Sequence, residues 1–213
     1  NTADGTDQIG DVAVIIHSSG LLDLNGVSET VNNAVTLTVG ADSSAELRTG
    51  GGAIYTTNNA INTLVLSGTT AGSTSAVING ILSLNGGERT IDVRRSGTMT
   101  NPELDIRAVV TNGGINKVSN GSLRLGNAGN NYTGVTSVYA GKLVVGASGA
   151  LGTTDRGTLI SEGASLIFPG GVNYSSGEVI AVVGRGFNGE GAIQSFGINT
   201  FAGNILGFEG KLD

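Results

Sequence analysis

Three aspartates close to the beginning of the sequence are the first residues whose type and spacing suggest chemistry. Asp4, Asp7 and Asp11 each carry a carboxylate, and most glycosidases use two carboxylates that flank the glycosidic bond. Carboxylate oxygens are also preferred ligands of calcium. However, the sequence contains no adjacent Asp-Asp pair and no glycine-rich nonapeptide repeat of the calcium-binding kind. We therefore interpret these aspartates as a polar surface segment, and we predict no metal site and no cofactor.

The single histidine is the second candidate, because a Ser-His-Asp arrangement would need it as a base. His17 follows a short apolar run, and no Gly-x-Ser-x-Gly segment is present to expose a nucleophilic serine. The absence of cysteine excludes a thiolate nucleophile, a disulfide framework and cysteine-bound zinc. We interpret His17 as a solvated residue, and we predict that the protein is not an enzyme and has no catalytic residues.

Arginines form the densest positive cluster of the sequence. Their guanidinium groups could bind the carboxylates of acidic glycans through paired hydrogen bonds. We favour ordinary surface salt bridges instead, because acidic residues lie close to the arginines in the sequence. The arginines are Arg89, Arg94, Arg95 and Arg107, and the nearby carboxylates are those of Glu88, Asp92, Glu103 and Asp105.

All five phenylalanines lie in the last quarter of the chain. Such a group could form a platform for sugars. We favour a second interpretation, in which the rings thicken the core of wider coils at that end of the protein. The five residues are Phe168, Phe187, Phe196, Phe201 and Phe208.

The composition excludes several classes of function. The formal net charge is −6 and the isoelectric point is near 4.7, which is the wrong sign for a surface that binds nucleic acid. No apolar run reaches the roughly 18 residues that a membrane-spanning helix needs. We therefore predict no nucleic acid partner and no transmembrane helix. Glycine accounts for 37 of 213 residues, without the spacing of every third residue that collagen requires.

A short phrase recurs through the chain: glycine, any residue, leucine, any residue and an aliphatic residue. Clear copies begin at Gly20, Gly80, Gly121 and Gly141. Their alternation of apolar and polar residues is typical of a half-buried strand, and Asn-Gly pairs between copies favour tight turns. The period is about 20 residues, so we expect the leading leucines to form one continuous column. These leucines are Leu22, Leu47, Leu64, Leu82, Leu104, Leu123, Leu143 and Leu166.

Strands of this kind bury their apolar side when successive coils stack about 4.8 Å apart. The repeat therefore predicts an all-β fold, a right-handed parallel β-helix of about ten coils with little or no α-helix. A sandwich of antiparallel hairpins is the alternative, since Asn-Gly is also a hairpin signal. The regular leucine spacing and the scarcity of aromatic residues disfavour the sandwich.

One segment carries a family resemblance. Residues 131–146, with the sequence NYTGVTSVYAGKLVVG, are similar to the autotransporter-associated β-strand repeat, which has the form N-Y-T-G-x-T-x-V-x-x-G-x-L-x-V. The lead-in at 117–125 also resembles that family, with Ser119 at a position where glycine is usual. The resemblance extends over residues 115–205 and, more weakly, over residues 18–50.

The resemblance implies a β-helical segment of a bacterial protein that is secreted or displayed on the outer cell surface. We expect residues 1–213 to form a single such segment, processed or excised from a larger exported protein. Its expected role is structural or adhesive, as a rigid stalk or an adhesin passenger. Its expected partners are coils of the parent chain, glycans, or the surfaces of host or neighbouring cells. One alternative is a subunit of an extracellular fibre, in which identical copies stack end to end through strand edges. A glycan-active enzyme is the other.

Overall fold

Strands make up almost all of the regular structure. The computed structural model describes residues 9–40, 42–57, 61–65, 74–95 and 101–208. Within these residues there is no α-helix, and one 3-10 turn covers Phe187–Gly189. None of this part of the chain forms a helix with the length and hydropathy needed to cross a membrane. The prediction of an all-β fold with little or no helix is confirmed.

The strands are short, as the recurring phrase predicts, except for three that continue around corners of the fold. In chain order they are β1 (Val14–Ile16), β2 (Leu21–Asp23), β3 (Glu29–Val31), β4 (Val35–Val39), β5 (Glu46–Thr56), β6 (Ile61–Val65), β7 (Ala76–Val93), β8 (Leu104–Ile106), β9 (Val109–Val118), β10 (Ser122–Leu125), β11 (Thr136–Val138), β12 (Gly141–Val145), β13 (Thr158–Ile160), β14 (Ala164–Phe168), β15 (Asn173–Tyr174), β16 (Val179–Val183), β17 (Ile193–Ser195), β18 (Thr200–Phe201) and β19 (Asn204–Phe208).

Every pairing between these strands is parallel, and together they form a β-solenoid with three faces. Face A stacks β1, β4, β6, the end of β7, the end of β9, β11, β13, β16 and β19. Face B stacks β2, the starts of β5 and β7, then β8, β10, β12, β14 and β17. The parallel stacking excludes the antiparallel sandwich, and the parallel solenoid prediction is confirmed.

Face C, the third side, is less regular. It stacks β3, the end of β5, the middle of β7 and the start of β9, and β15 and β18 form a separate pair after β14 and β17. Between β10 and β13 no strand occupies this side, and a buried asparagine connects the turns instead. The Asn130 side chain accepts a hydrogen bond from the Val110 amide at 2.9 Å and donates one to the Ala150 carbonyl at 2.7 Å.

The predicted leucine column exists in the second half of the solenoid. Leu104, Leu123, Leu143 and Leu166 occupy equivalent register positions on face B. All four side chains are fully buried. Removing such apolar surface from water in every turn is the main stabilising contribution to a fold of this kind.

The first half of the predicted column is only partly right, because Leu22 and Leu47 are in register with each other on face B but the column does not continue through the next leucines. Leu47 is in register with Ile78 on face B, whereas Leu64 lies on face A and Leu82 lies on face C. The turns are longer here because they include strands of face C: residues 47 and 78 are 31 positions apart, against 19 for residues 104 and 123. The described residues therefore form about seven turns, and the expected ten coils are not confirmed.

The predicted Asn-Gly turns explain how the chain changes direction. Asn25, Asn85 and Asn112 all have positive φ, at 49°, 49° and 54°, a conformation that asparagine adopts more readily than most residues. Gly113 cannot be replaced there, because a Cβ atom would lie 2.2 Å from the carbonyl oxygen of the preceding turn. Near residue 120 the turn uses Ser119 instead, with φ at 61°.

Candidate functional site

The residues first considered for catalysis do not assemble into one site. His17 is exposed at a corner, and Asp11 accepts a hydrogen bond from the Asn33 side chain through its main-chain carbonyl at 2.8 Å. Asp4 and Asp7 lie outside the described residues. In the described part, no cluster of three or more histidine, cysteine or acidic side chains is placed to hold a metal ion.

The predicted arginine cluster is dispersed over the surface. Arg94 and Arg107 each pair with the aspartate two residues earlier, at 3.2 and 2.8 Å, so the salt-bridge interpretation is confirmed for both. Arg89 instead donates to the main-chain carbonyl of Thr56 at 3.0 Å. Arg107 also lines one concave surface, and Arg95 extends towards a second one.

That surface is a groove on the outside of face B, with a volume of about 460 Å³. We call it the face B groove. Three cations, Arg95, Arg124 and Lys142, line it together with apolar and aromatic side chains. The groove therefore combines one residue of the predicted arginine cluster with two cations that sequence reasoning did not single out.

The repeat itself positions the two unpredicted cations. Lys142 is in register with Ser122, one residue before the buried leucines of the two strands, and Arg124 is in register with Val144, one residue after them. Because side chains alternate between the two sides of a strand, these positions face outwards. The polar residues of consecutive copies of the phrase could have pointed to these cations. The strand register was needed to show that they share one surface.

Arg124 is held firmly at the floor of the groove. Its guanidinium contacts the Asp105 carboxylate at 3.0 Å and donates to the Gly146 carbonyl at 3.2 Å. The Asp105 side chain is only 7% exposed and also pairs with Arg107. Because Asp105 is buried and pairs with two arginines, it fixes the Arg124 side chain in one orientation.

The other two cations of the groove lie over an aromatic ring. The Cζ atom of Arg95 and the Nζ atom of Lys142 each lie 5.5 Å from the centre of the Phe187 ring, which is within the range of a cation–π interaction. Lys142 also donates to the Glu190 carboxylate at 2.8 Å. This hydrogen bond lowers the pKa of Glu190, which is exposed at the rim.

The phenylalanines divide between the core and the surface. Phe168 and Phe201 pack together at 5.9 Å, and Phe201 lies equally close to Tyr174, so the core interpretation is confirmed for this group. Phe187 is buried beneath the cations, whereas Phe196 is 56% exposed at the groove. Phe208 is also exposed, on face A.

A fully buried lysine interrupts the apolar interior of face A. The ammonium group of Lys117 donates to three main-chain carbonyls, those of Val118, Ser119 and Ala140. Burial lowers the pKa of Lys117 to about 7. Because its donors are directed at the corner between two successive turns, we interpret this lysine as structural.

A buried glutamate is the second ionisable group of the interior. One carboxylate oxygen of Glu178 accepts from the Thr158 hydroxyl at 2.7 Å, while the other is buried without a hydrogen-bond partner among the described residues. Burial raises the pKa of Glu178. The neighbouring pair of Tyr132 and Thr136, whose hydroxyl groups are 2.7 Å apart, is buried as well.

A Glu178→Gln variant is expected to be more stable than the wild type at pH 8. The raised pKa keeps the folded carboxyl protonated where the unfolded one is ionised, so the free energy of unfolding falls as pH rises above about 4.5. Glutamine does not titrate and retains an acceptor for Thr158. Denaturant unfolding between pH 4.5 and pH 8 measures the difference, which should grow with pH.

The matched control for this prediction is Glu162→Gln, because Glu162 is exposed. It should follow the wild-type profile. If the Glu178→Gln and wild-type profiles are parallel over the whole range, the buried carboxyl does not titrate as we describe.

Within the described residues, the face B groove is thus the surface on which charge, aromatic rings and concavity coincide. Its geometry suits reversible binding of an anionic ligand, since its cations already hold carboxylates at hydrogen-bond distance. Comparison with known proteins gives no further guide to what it binds, because no protein family model, curated protein or solved structure matches the chain.

Proposed function

We propose that the chain is a non-catalytic structural and adhesive segment of a bacterial protein that is secreted or displayed on the cell surface. The observation that carries the proposal is the unbroken parallel pairing of face A from β1 to β19. Each internal strand is hydrogen-bonded to the turn before and the turn after, which makes a solenoid stiff along its axis. Stiffness along one axis is the property that a stalk or a passenger needs.

The resemblance to the autotransporter-associated repeat supports this proposal. Residues 131–146 form β11 on face A and β12 on face B, so the motif corresponds to two neighbouring strands of one turn. Val138 and Leu143 are buried in the respective strands. We infer from the general rule for parallel crossovers that the winding is right-handed.

Antibody labelling of intact and permeabilised cells that produce the protein tests the location. We expect labelling of intact cells, and labelling only after permeabilisation would overturn the proposal. Stretching single molecules between their ends tests the mechanical role. A stalk segment should resist extension and then release turns stepwise, and extension without measurable force would contradict it.

A fibre subunit is the second candidate, and β19 favours it. Ile205 and Leu206 are 50% and 46% exposed, although their register partners one turn earlier, Ile180 and Ala181, are buried. Such apolar side chains on the last described strand favour the addition of another strand, from a further coil or from a second copy. Light scattering at rising protein concentration should show growth that Ile205→Lys abolishes. A constant monomer mass would exclude the fibre.

A further inference from the structure

We propose that the face B groove binds a segment of an acidic polysaccharide, one whose sugars carry carboxylates. The inference rests on the adhesive part of the proposed function and gives that adhesion a ligand class. Its evidence is separate from the solenoid itself, because it depends on the length, charge and exposed rings of one surface.

The groove is elongated along the stacking axis. Its lining comes from Glu103, immediately before β8, and from strands β10, β12, β14 and β17. Five neighbouring strands at about 4.8 Å spacing extend over about 19 Å. A surface of that length, open to solvent, suits several units of a chain molecule better than one compact metabolite, which usually lies in an enclosed pocket.

The exposed charge of the groove is positive although the chain is acidic. Arg124 and Lys142 have 31% and 27% of their side chains exposed, whereas the neighbouring Glu103 and Asp105 are buried. Glu103 accepts from the Ser122 amide at 2.7 Å, so its charge is directed into the protein. A ligand in the groove therefore meets Arg124 and Lys142 before it meets either of these two carboxylates.

Glu190 occupies the place that a ligand carboxylate would take. Its side chain is 49% exposed and its carboxylate contacts Lys142 at 2.8 Å. An exposed ion pair of this kind contributes little to stability, so exchange of Glu190 for a carboxylate of the ligand costs little. Lys142 then keeps an acceptor, and its position over Phe187 is unchanged.

Apolar surface between the cations suits the C–H faces of sugar rings. Phe196 is 56% exposed beside the groove, and Val144 and Ile167 lie in register on its floor. Aromatic rings present a negative face to the weakly positive C–H edges of a partner. A chain that alternates ring faces and carboxylates therefore matches the surface better than a simple inorganic anion.

The number of cations disfavours nucleic acid. A duplex carries one charge per about 1.7 Å, or about 11 charges over the length of the groove, and the groove supplies Arg95, Arg124 and Lys142 against them. A polysaccharide with at most one carboxylate per sugar spaces its charges far more widely. Three cations are then an adequate match.

Calorimetric titration of the folded chain with hexameric oligogalacturonate tests the proposal, and the fully methyl-esterified hexamer is the uncharged control. We expect the acidic hexamer to bind, and the ester at least tenfold more weakly, because a hydrogen bond between charged groups is lost at each cation. Raising the salt concentration should weaken binding of the acid only.

Three variants locate the binding. Lys142→Gln is expected to reduce affinity about tenfold, and Phe196→Ala severalfold, while Glu190→Gln should increase it because the competing carboxylate is gone. Arg48→Gln is the matched control, since Arg48 lies on β5 outside the groove and also pairs with carboxylates. It should bind as the wild type does.

Three results would overturn the inference. They are no binding at millimolar oligogalacturonate, equal loss of affinity in Arg48→Gln and Lys142→Gln, and tighter binding of an oligothymidylate of equal charge. If the protein is folded and displayed on the cell surface but fails these titrations, the acidic polysaccharide is refuted as its ligand and the stalk proposal stands. If the titrations show the expected binding but antibodies label the cells only after permeabilisation, the proposed location is refuted and the ligand proposal stands.

Discussion

A Leu143→Asp variant is expected to lose its cooperative unfolding transition, or to retain it only at a much lower denaturant concentration. Leu143 is fully buried and lies in register between Leu123 and Leu166. Truncation of a buried leucine alone costs about 2–5 kcal/mol, and an unpaired buried charge adds to that cost. Since domains are stable by about 5–15 kcal/mol in total, the substitution removes most of the stability. Urea unfolding followed by circular dichroism measures it.

Leu159→Asp is the matched control, because the substitution is the same and the environment differs. Leu159 is on the neighbouring strand β13, with its side chain outside face A and 39% exposed. It should change the free energy of unfolding by no more than about 1 kcal/mol. If Leu143→Asp unfolds at the same urea concentration as Leu159→Asp, the apolar column on face B does not hold the turns together.

The free energy of unfolding is expected to rise between pH 7 and pH 10 because of Lys117. Burial lowers its pKa from 10.5 to about 7, although Glu103 and Asp92 act in the opposite direction. Between these values the unfolded chain binds the proton that the folded chain has released, so stability increases with pH. At about 1.4 kcal/mol per unit, the full rise is on the order of 4 kcal/mol.

Unfolding of the wild type and of Lys117→Met in denaturant, at steps between pH 7 and pH 10, measures this rise. The variant should show no rise, whereas Lys142→Met should keep the rise because Lys117 is intact. Measurements stop at pH 10, since burial raises the pKa of Tyr132 and raises that of Tyr174 to about 12, which reduces stability at higher pH. An equal rise in Lys117→Met would show that another group is responsible.

The fold was largely predictable from the alternation of the recurring phrase and from its Asn-Gly turns. The register of the early turns was not, because nothing in a local phrase states which face its strand joins. Leu82 and Leu123 each lie two positions after a glycine and two before a leucine, yet Leu82 lies on face C in register with Ile54. The length of the intervening chain decides between faces, and that length varies from turn to turn.

The candidate site was predictable only in part, for a related reason. Arg95 and Phe187 were recognised as candidates for glycan binding on separate grounds, but they are 92 positions apart in the sequence and meet through stacking. Lys117 shows a further limit. Strand alternation places Lys117 inwards, between Ile91 and Val138 on face A. Only the geometry of the corner shows the three main-chain carbonyls that accept hydrogen bonds from its ammonium group.

On face C between β10 and β13, the Asn130 side chain and a few main-chain hydrogen bonds take the place of a strand, and this has a consequence for how the molecule can diversify. Because no strand pairing of faces A and B runs through that side, segments of different length can be accommodated in its exposed stretches without a change in the stacking of faces A and B. The solenoid thus has one flank that tolerates insertions, where new loops can be acquired while the rest of the architecture is preserved.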